Sequence, residues 1–164
     1  MTGSARSRAG VRRGALLAVM LLPGAGDTLA GGGRVELTVT QPTVELEVPS
    51  EVRLGDTVEV TLRLRNEGTE ALSLELVGRP VAFDVFITGP GGREVWRRLH
   101  GKAVASALML LQLGPGESRE FTARWPQQDS QGRPVPPGRY TVQGTLPTGS
   151  RPLTSAPRDL LIAS

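Results

Sequence analysis

His100 is the only histidine of this 164-residue chain, and the chain contains no cysteine. A Ser-His-Asp hydrolase would have to be built on this one imidazole, yet the Gly-x-Ser-x-Gly pattern of a nucleophile elbow does not occur in the sequence. A single imidazole without thiolates is also too few ligands for a zinc site. We therefore predict that His100 lies in a loop or at a hairpin edge and that the chain binds no metal.

Carboxylates are the other groups that could do chemistry. Acid–base catalysis by carboxylates needs two of them held close together, and no spacing forces this on the candidates Asp84, Glu94, Glu117 and Glu120. The segment 89–92, Gly-Pro-Gly-Gly, lacks the Lys and Ser or Thr that follow a phosphate-binding loop, so it predicts a hairpin turn. The sequence predicts a non-catalytic protein with no cofactor.

The first thirty residues have the order of a secretory signal peptide. Four arginines precede an apolar run from Ala15 to Leu22, and small residues follow up to Ala30. The run is much shorter than the ~20 residues of a membrane-spanning helix. We expect cleavage after Ala30 and export, with residues 31–164 as one domain and no membrane span in the mature form. Twin-arginine export through Arg12-Arg13, and a disordered tail or misplaced start, are the alternatives.

Net charge argues against nucleic-acid binding. Four of the 19 basic residues and one of the 16 acidic residues lie in the first thirty positions, which leaves 15 of each in the remainder. Binding to phosphates requires an excess of cations on one face. We expect the arginines to pair with carboxylates across strands instead.

Alternating apolar and polar residues predict β-strands along most of the domain. Residues 57–65 form one such strand, and 72–76 follow the Asn66-Glu67-Gly68 turn as its predicted hairpin partner. An opening strand over 35–48 is interrupted at Gln41-Pro42, where we expect it to change partners. A second hairpin joins 83–87 to 94–97, and further strands are expected over 102–113, 121–125, 140–146 and 160–162. Residues 102–113 also have helix propensity, but a strand is favoured.

Seven or eight short strands separated by turns, with no helical period, predict an all-β fold. We expect an antiparallel immunoglobulin-like β-sandwich, with Trp96, Trp125 and Phe121 supplying much of the core. Tyr140 is placed to bond its hydroxyl to upstream backbone, as in a tyrosine corner.

From Val52 to Leu146 the chain resembles the BsuPI family of intracellular proteinase inhibitors. The resemblance is carried by the order of six segments: Asn66-Glu67-Gly68, Phe83-Asp84, Gly92 to Arg97, Leu113 to Glu117, Phe121 to Trp125, and Val135 to Gly144. It implies an immunoglobulin-like sandwich and inhibition of a serine protease. Two features depart from the family: Leu99 to Val104 replaces a small hydroxyl residue and an aromatic, and the export signal would remove the protein from an intracellular target.

Recognition by loops at one end of a rigid sandwich is therefore the first functional hypothesis, with an extracytoplasmic serine protease as the partner. The candidate partner contacts are Gln127, Gln128, Asp129, Ser130, Gln131, Arg133, Pro90 and Gly91. The alternative is a structural or assembly domain of the cell envelope that binds partners through a strand edge. The sequence does not determine the oligomeric state.

Overall fold

A computed structural model describes residues 42–164. This part of the chain consists of strands and connecting loops and contains no helix, so no helix within it is long and apolar enough to span a membrane. Its eleven strands are β1 (Thr43–Glu47), β2 (Glu51–Arg53), β3 (Val58–Arg65), β4 (Leu72–Val77), β5 (Asp84–Thr88), β6 (Glu94–Arg97), β7 (Leu108–Leu113), β8 (Ser118–Trp125), β9 (Gly138–Leu146), β10 (Leu153–Thr154) and β11 (Arg158–Ala163).

The strands form two main sheets and one ribbon. The first sheet has the antiparallel order β1-β3-β8, and the second has the order β2-β11-β9-β5-β6 with β10 also paired to β9. Strands β4 and β7 form a separate antiparallel ribbon. The opening strand is divided between the sheets, because β1 pairs with β3 while β2 pairs in parallel with β11. This is the strand arrangement of an immunoglobulin-like sandwich, and it confirms the predicted fold class.

The core lies between the two main sheets. Strand β3 buries every second residue, Val58, Val60, Leu62 and Leu64, as its alternation predicts. The facing strand β9 contributes Gly144, where an added Cβ would lie 2.5 Å from Leu62 Cδ1. A glycine is needed here because the two sheets approach too closely for any side chain.

The predicted hairpin between β3 and β4 is wrong. Strand β3 pairs with β1 and β8, whereas β4 pairs with β7, about forty residues further along the chain. Asn66 explains the difference, because its buried amide nitrogen donates to the carbonyls of Glu70, Leu113 and Gly114 at 2.8, 3.0 and 3.1 Å. The turn after β3 is thereby tied to the β7–β8 turn, and the chain leaves β3 instead of folding back on it.

Other expectations need smaller corrections. The change of partners expected at Gln41-Pro42 depends on residues 35–41, which lie outside the described residues, as does the predicted signal peptide 1–30. A change of sheets is seen further along, at Val48–Ser50 between β1 and β2. Only 108–113 of the segment 102–113 is a strand. The described residues form eleven strands instead of seven or eight, and β2 and β10 were not predicted because they are too short to show a periodic pattern. Trp125 is fully buried, but Trp96 and Phe121 are half-buried at the core's margin, where each contacts a buried aromatic ring.

Candidate functional site

Three connections lie together at one end of the sandwich. The β2–β3 turn (54–57) and the β8–β9 loop (126–137) are adjacent because Val58 pairs with Trp125. The β5–β6 turn (89–93) joins them because Thr88 pairs with Thr141 near the start of β9. We call these three segments the loop end, and 126–137 the long loop.

The base of the long loop is held by buried hydrogen bonds. The Gln127 side chain is buried, and it donates to the Arg53 carbonyl and accepts from the Gly55 amide, both at 2.8 Å. These bonds stabilise Gln127 in the left-handed region, at a φ of 53°, which non-glycine residues rarely adopt. The Trp125 indole N–H donates to the Gln128 carbonyl at 2.7 Å. The loop therefore leaves the core along a defined path.

The tip of the long loop is organised by Asp129. Its Oδ1 accepts from the backbone amides of Gln131 and Arg133, each at 2.9 Å, and its Oδ2 accepts from Arg133 Nε at 2.8 Å. These bonds, the one from the Arg133 amide foremost, lower the pKa of Asp129 below its ordinary value. The carboxylate stays ionised at neutral pH and keeps the tip closed.

The long loop also contacts the β5–β6 hairpin. The Ser130 amide donates to the Val95 carbonyl at 2.9 Å, on the side of β6 that faces away from β5. The Tyr140 hydroxyl donates to the Pro136 carbonyl at 2.6 Å, which confirms the predicted tyrosine corner. The long loop is thus held by hydrogen bonds to backbone atoms at its base, at its tip and along the side that faces the β5–β6 hairpin.

The structure places the sequence-predicted contact residues at one end of the molecule, with one exception in accessibility. Five of these residues are exposed, namely Pro90, Gly91, Gln128, Gln131 and Arg133, while Asp129 and Ser130 are half-buried. Gln127 is the exception, because its side chain bonds the Arg53 and Gly55 backbone and the residue is only 2% exposed, so this side chain is not accessible on the surface.

Two depressions flank the long loop. One has a volume of about 310 Å³ and a mainly polar wall that includes Arg93, Glu94 and His100. The other has a volume of about 470 Å³ and is lined by Leu54 and by four prolines of the long loop, Pro126, Pro134, Pro136 and Pro137. Sequence reasoning missed Leu54 and these prolines, although the density of proline after Trp125 was a visible sign of a fixed backbone.

Ser130, His100 and Asp129 line the polar depression together, which raises the question of a catalytic triad. The orienting acid of a triad must accept a hydrogen bond from the histidine. Asp129 instead directs its oxygens at Gln131 and Arg133, and no hydrogen bond within residues 42–164 involves the His100 imidazole. The described part of the chain also contains no cluster of three or more acidic or histidine side chains suited to a metal ion.

Comparison with solved structures finds distant similarities. A CARDB domain from Pyrococcus furiosus in complex with di-metal ions is 17% identical, with 75% of this chain and 88% of that chain covered and a TM-score of 0.38. Pseudomonas fluorescens alkylpurine DNA glycosylase AlkC, bound to DNA containing an abasic site analog, is 17% identical over 74% of this chain and 30% of its own, with a TM-score of 0.40. A Listeria innocua β-glucosidase in complex with glucose is 16% identical over 74% and 17%, with a TM-score of 0.38. Similarity this low transfers no function.

No curated protein matches the chain. Residues 44–151, in contrast, match a protein family described as intracellular proteinase inhibitor. The match runs from β1 past the end of β9 and includes both the long loop and the β5–β6 turn. The chain therefore belongs to the BsuPI family of intracellular proteinase inhibitors, as the order of its turn and strand segments predicts.

Proposed function

We propose that this chain is an exported, non-catalytic protein that binds and inhibits a serine protease through its loop end. The observation that carries the proposal is the bonding of the long loop, whose base is held by Gln127 and whose tip is held by Asp129. Family membership supports a protease as the partner. The expected export, from the pattern of residues 1–30, places that protease outside the cytoplasm.

Pre-organisation is the physical reason to favour this loop. A flexible segment loses conformational entropy when it is ordered by a partner, and a segment already held in one shape avoids most of that loss. An exposed loop fixed by its own hydrogen bonds also resists distortion into the extended form that a protease needs for cleavage. The long loop therefore suits a protein that must occupy a protease without being digested.

The exposed tip provides the sharpest test of contact. Gln131 is exposed and its side chain takes part in none of the hydrogen bonds of the described residues, so Gln131→Ala removes a contact group without disturbing the loop. Gln112 in β7 is exposed in the same way at the opposite end of the sandwich, and Gln112→Ala is the matched control. Co-secreted serine proteases are titrated with each purified protein, and residual activity is measured.

We expect the unmodified protein to reduce activity at a fixed stoichiometry. Gln131→Ala should weaken inhibition by roughly tenfold, the usual effect of truncating a central contact residue, and Gln112→Ala should leave inhibition unchanged. Digestion of the protein, or unaltered activity of every protease tested, would reject inhibition. Equal effects of the two variants would retain inhibition but remove the loop end as the contact surface.

A further inference from the structure

Strand β8 has an open edge within the described residues. It pairs with β3 on one side through eight consecutive residues, from Ser118↔Arg65 to Trp125↔Val58, and it is the last strand of its sheet on the other side. Strand β7 directly precedes β8 in the chain, but it pairs with β4 and not with β8. Among residues 42–164, no segment pairs with the outward backbone N–H and C=O groups of β8.

Both edges of the larger sheet, β2 and β6, are protected in ways that β8 is not. Strands β2 and β6 are short, with three and four residues. Strand β6 also has a register shift opposite Ile87/Thr88, and its Val95 carbonyl already accepts a hydrogen bond from the Ser130 amide. Short edges, bulges and covering loops are the devices that prevent edge pairing. Strand β8 has eight residues, no proline and an unbroken register with β3.

We propose that the β8 edge pairs with β8 of a second copy of this chain, in antiparallel orientation about a two-fold axis. This inference is independent of the proposed inhibition. An isologous contact of this kind joins the two three-stranded sheets into one continuous sheet of six. It also directs the two loop ends toward opposite ends of the dimer, because the paired strands run in opposite directions.

Symmetry and charge together define one register. Directly opposite residues in an antiparallel pair lie on the same face, so a two-fold axis normal to the sheet makes one residue face its own copy. If the axis passes between the two copies of Thr122, Glu120 lies opposite Arg124 of the second copy, twice per interface. An axis at Glu120 would place two like charges opposite each other. An axis at Phe121 or Ala123 would leave Glu120 without an arginine opposite.

The same order of charges already joins β8 to β3. Glu59 lies opposite Arg124, Thr61 opposite Thr122, and Arg63 opposite Glu120, with ion-pair distances of 3.7 Å for Arg124–Glu59 and 2.8 Å for Arg63–Glu120. Along the exposed face, β3 and β8 therefore both have the order Glu, Thr, Arg in the chain direction. A second β8 in the Thr122 register continues this alternation of sign across the dimer, and this complementarity is the reason to assign the edge to a second copy.

Engineered disulfides test the register directly, because the chain contains no cysteine. In the Thr122 register, Thr122→Cys places two thiols on directly opposed residues, whose Cα atoms are about 4.5–5.5 Å apart and within disulfide range. The control is Thr61→Cys, on the same face of the next strand. Its two copies would be three strand spacings apart, about 14 Å, which is too far for a bridge. Full-length proteins are oxidised at equal concentration, and non-reducing electrophoresis measures the dimer fraction.

We expect a disulfide dimer from Thr122→Cys and none from Thr61→Cys. Adding Arg124→Glu opposes Glu120 with a second carboxylate and should reduce cross-linking at least tenfold, whereas the double charge swap Glu120→Arg with Arg124→Glu should restore it. Arg139→Glu, the same charge change on the other sheet, should have no effect. Sedimentation of the cysteine-free protein should show a concentration-dependent dimer. A monomer at every concentration, equal cross-linking of the two cysteine variants, or indifference to Arg124→Glu would each overturn the proposal.

Discussion

Tyr140 shows how one side chain joins the core to the loop end. Its ring is almost fully buried and contacts Trp125 with centroids 5.7 Å apart, while its hydroxyl donates to the Pro136 carbonyl. Burial raises the pKa of Tyr140 above its ordinary value, because the phenolate is less well solvated in the core than in water. The neutral phenol is therefore the form that the fold stabilises.

This pKa shift predicts a loss of stability at high pH. A group with a raised folded pKa contributes its full stability below its unfolded pKa, about 10 for tyrosine, and loses it as the pH rises through the folded value. We expect the free energy of unfolding to be lower at about pH 11 than at about pH 8. Tyr140→Phe should cost about 1 kcal/mol at neutral pH and should show a smaller alkaline loss.

Urea denaturation at the two pH values measures this, and the absorbance of tyrosinate reports Tyr140 alone because it is the only tyrosine. A titration midpoint at the ordinary value, or an equal alkaline loss in Tyr140→Phe, would contradict the prediction.

At the same scale, residue types did not predict accessibility. Asp84 is buried although carboxylates are usually exposed, and it pairs across strands with Arg97 at 2.5 Å. Gln127 was predicted to be a contact residue because it lies in a long loop of a rigid sandwich, where such folds recognise partners. Its burial depends on the backbone of Arg53 and Gly55, more than seventy residues away, and no local pattern indicates that.

Asn66 acts at the scale of elements, because it joins the turn after β3 to the β7–β8 turn. Besides the three hydrogen bonds from its amide nitrogen, its Oδ1 accepts from the Gly68 amide at 2.9 Å. Its backbone N–H donates to the Glu117 carbonyl, and its backbone carbonyl accepts from the Gly116 amide. One buried side chain thereby sets where β4 departs and where β8 begins.

We expect Asn66→Asp to be more damaging than its size suggests. The carboxylate has the same shape but lacks the N–H groups, so three carbonyl oxygens lose their donor and face a negative charge instead. The free energy of unfolding should fall by roughly 3 kcal/mol, measured by urea denaturation with tryptophan fluorescence. The control is Gln112→Glu, the same amide-to-acid change at an exposed position, which should change stability little. A similar small effect at both positions would mean that Asn66 does not organise the turns.

At the scale of the whole molecule, the predicted export bears on which proteases the chain can meet. We predict that the protein recovered from outside the cytoplasm of its producing cell begins at Gly31, because cleavage is expected after Ala30. Intact-mass spectrometry of that protein measures the mature N-terminus. A full-length mass from material retained in the cytoplasm would contradict export and return an intracellular protease as the expected partner.

Period-two alternation determined the all-β class and the position of most strands, because burial of one sheet face requires apolar residues at every second position of each strand. The order of turn and strand segments likewise determined the family. Strand pairing could not be predicted in the same way. Strand β4 was predicted to pair with β3 but pairs with β7, because pairing depends on which backbone is nearest in space. Two segments of the loop end were predicted from the sequence, but its third segment, the β2–β3 turn, and the open edge of β8 were decided by tertiary structure, because both depend on which strands become neighbours when the sheets form.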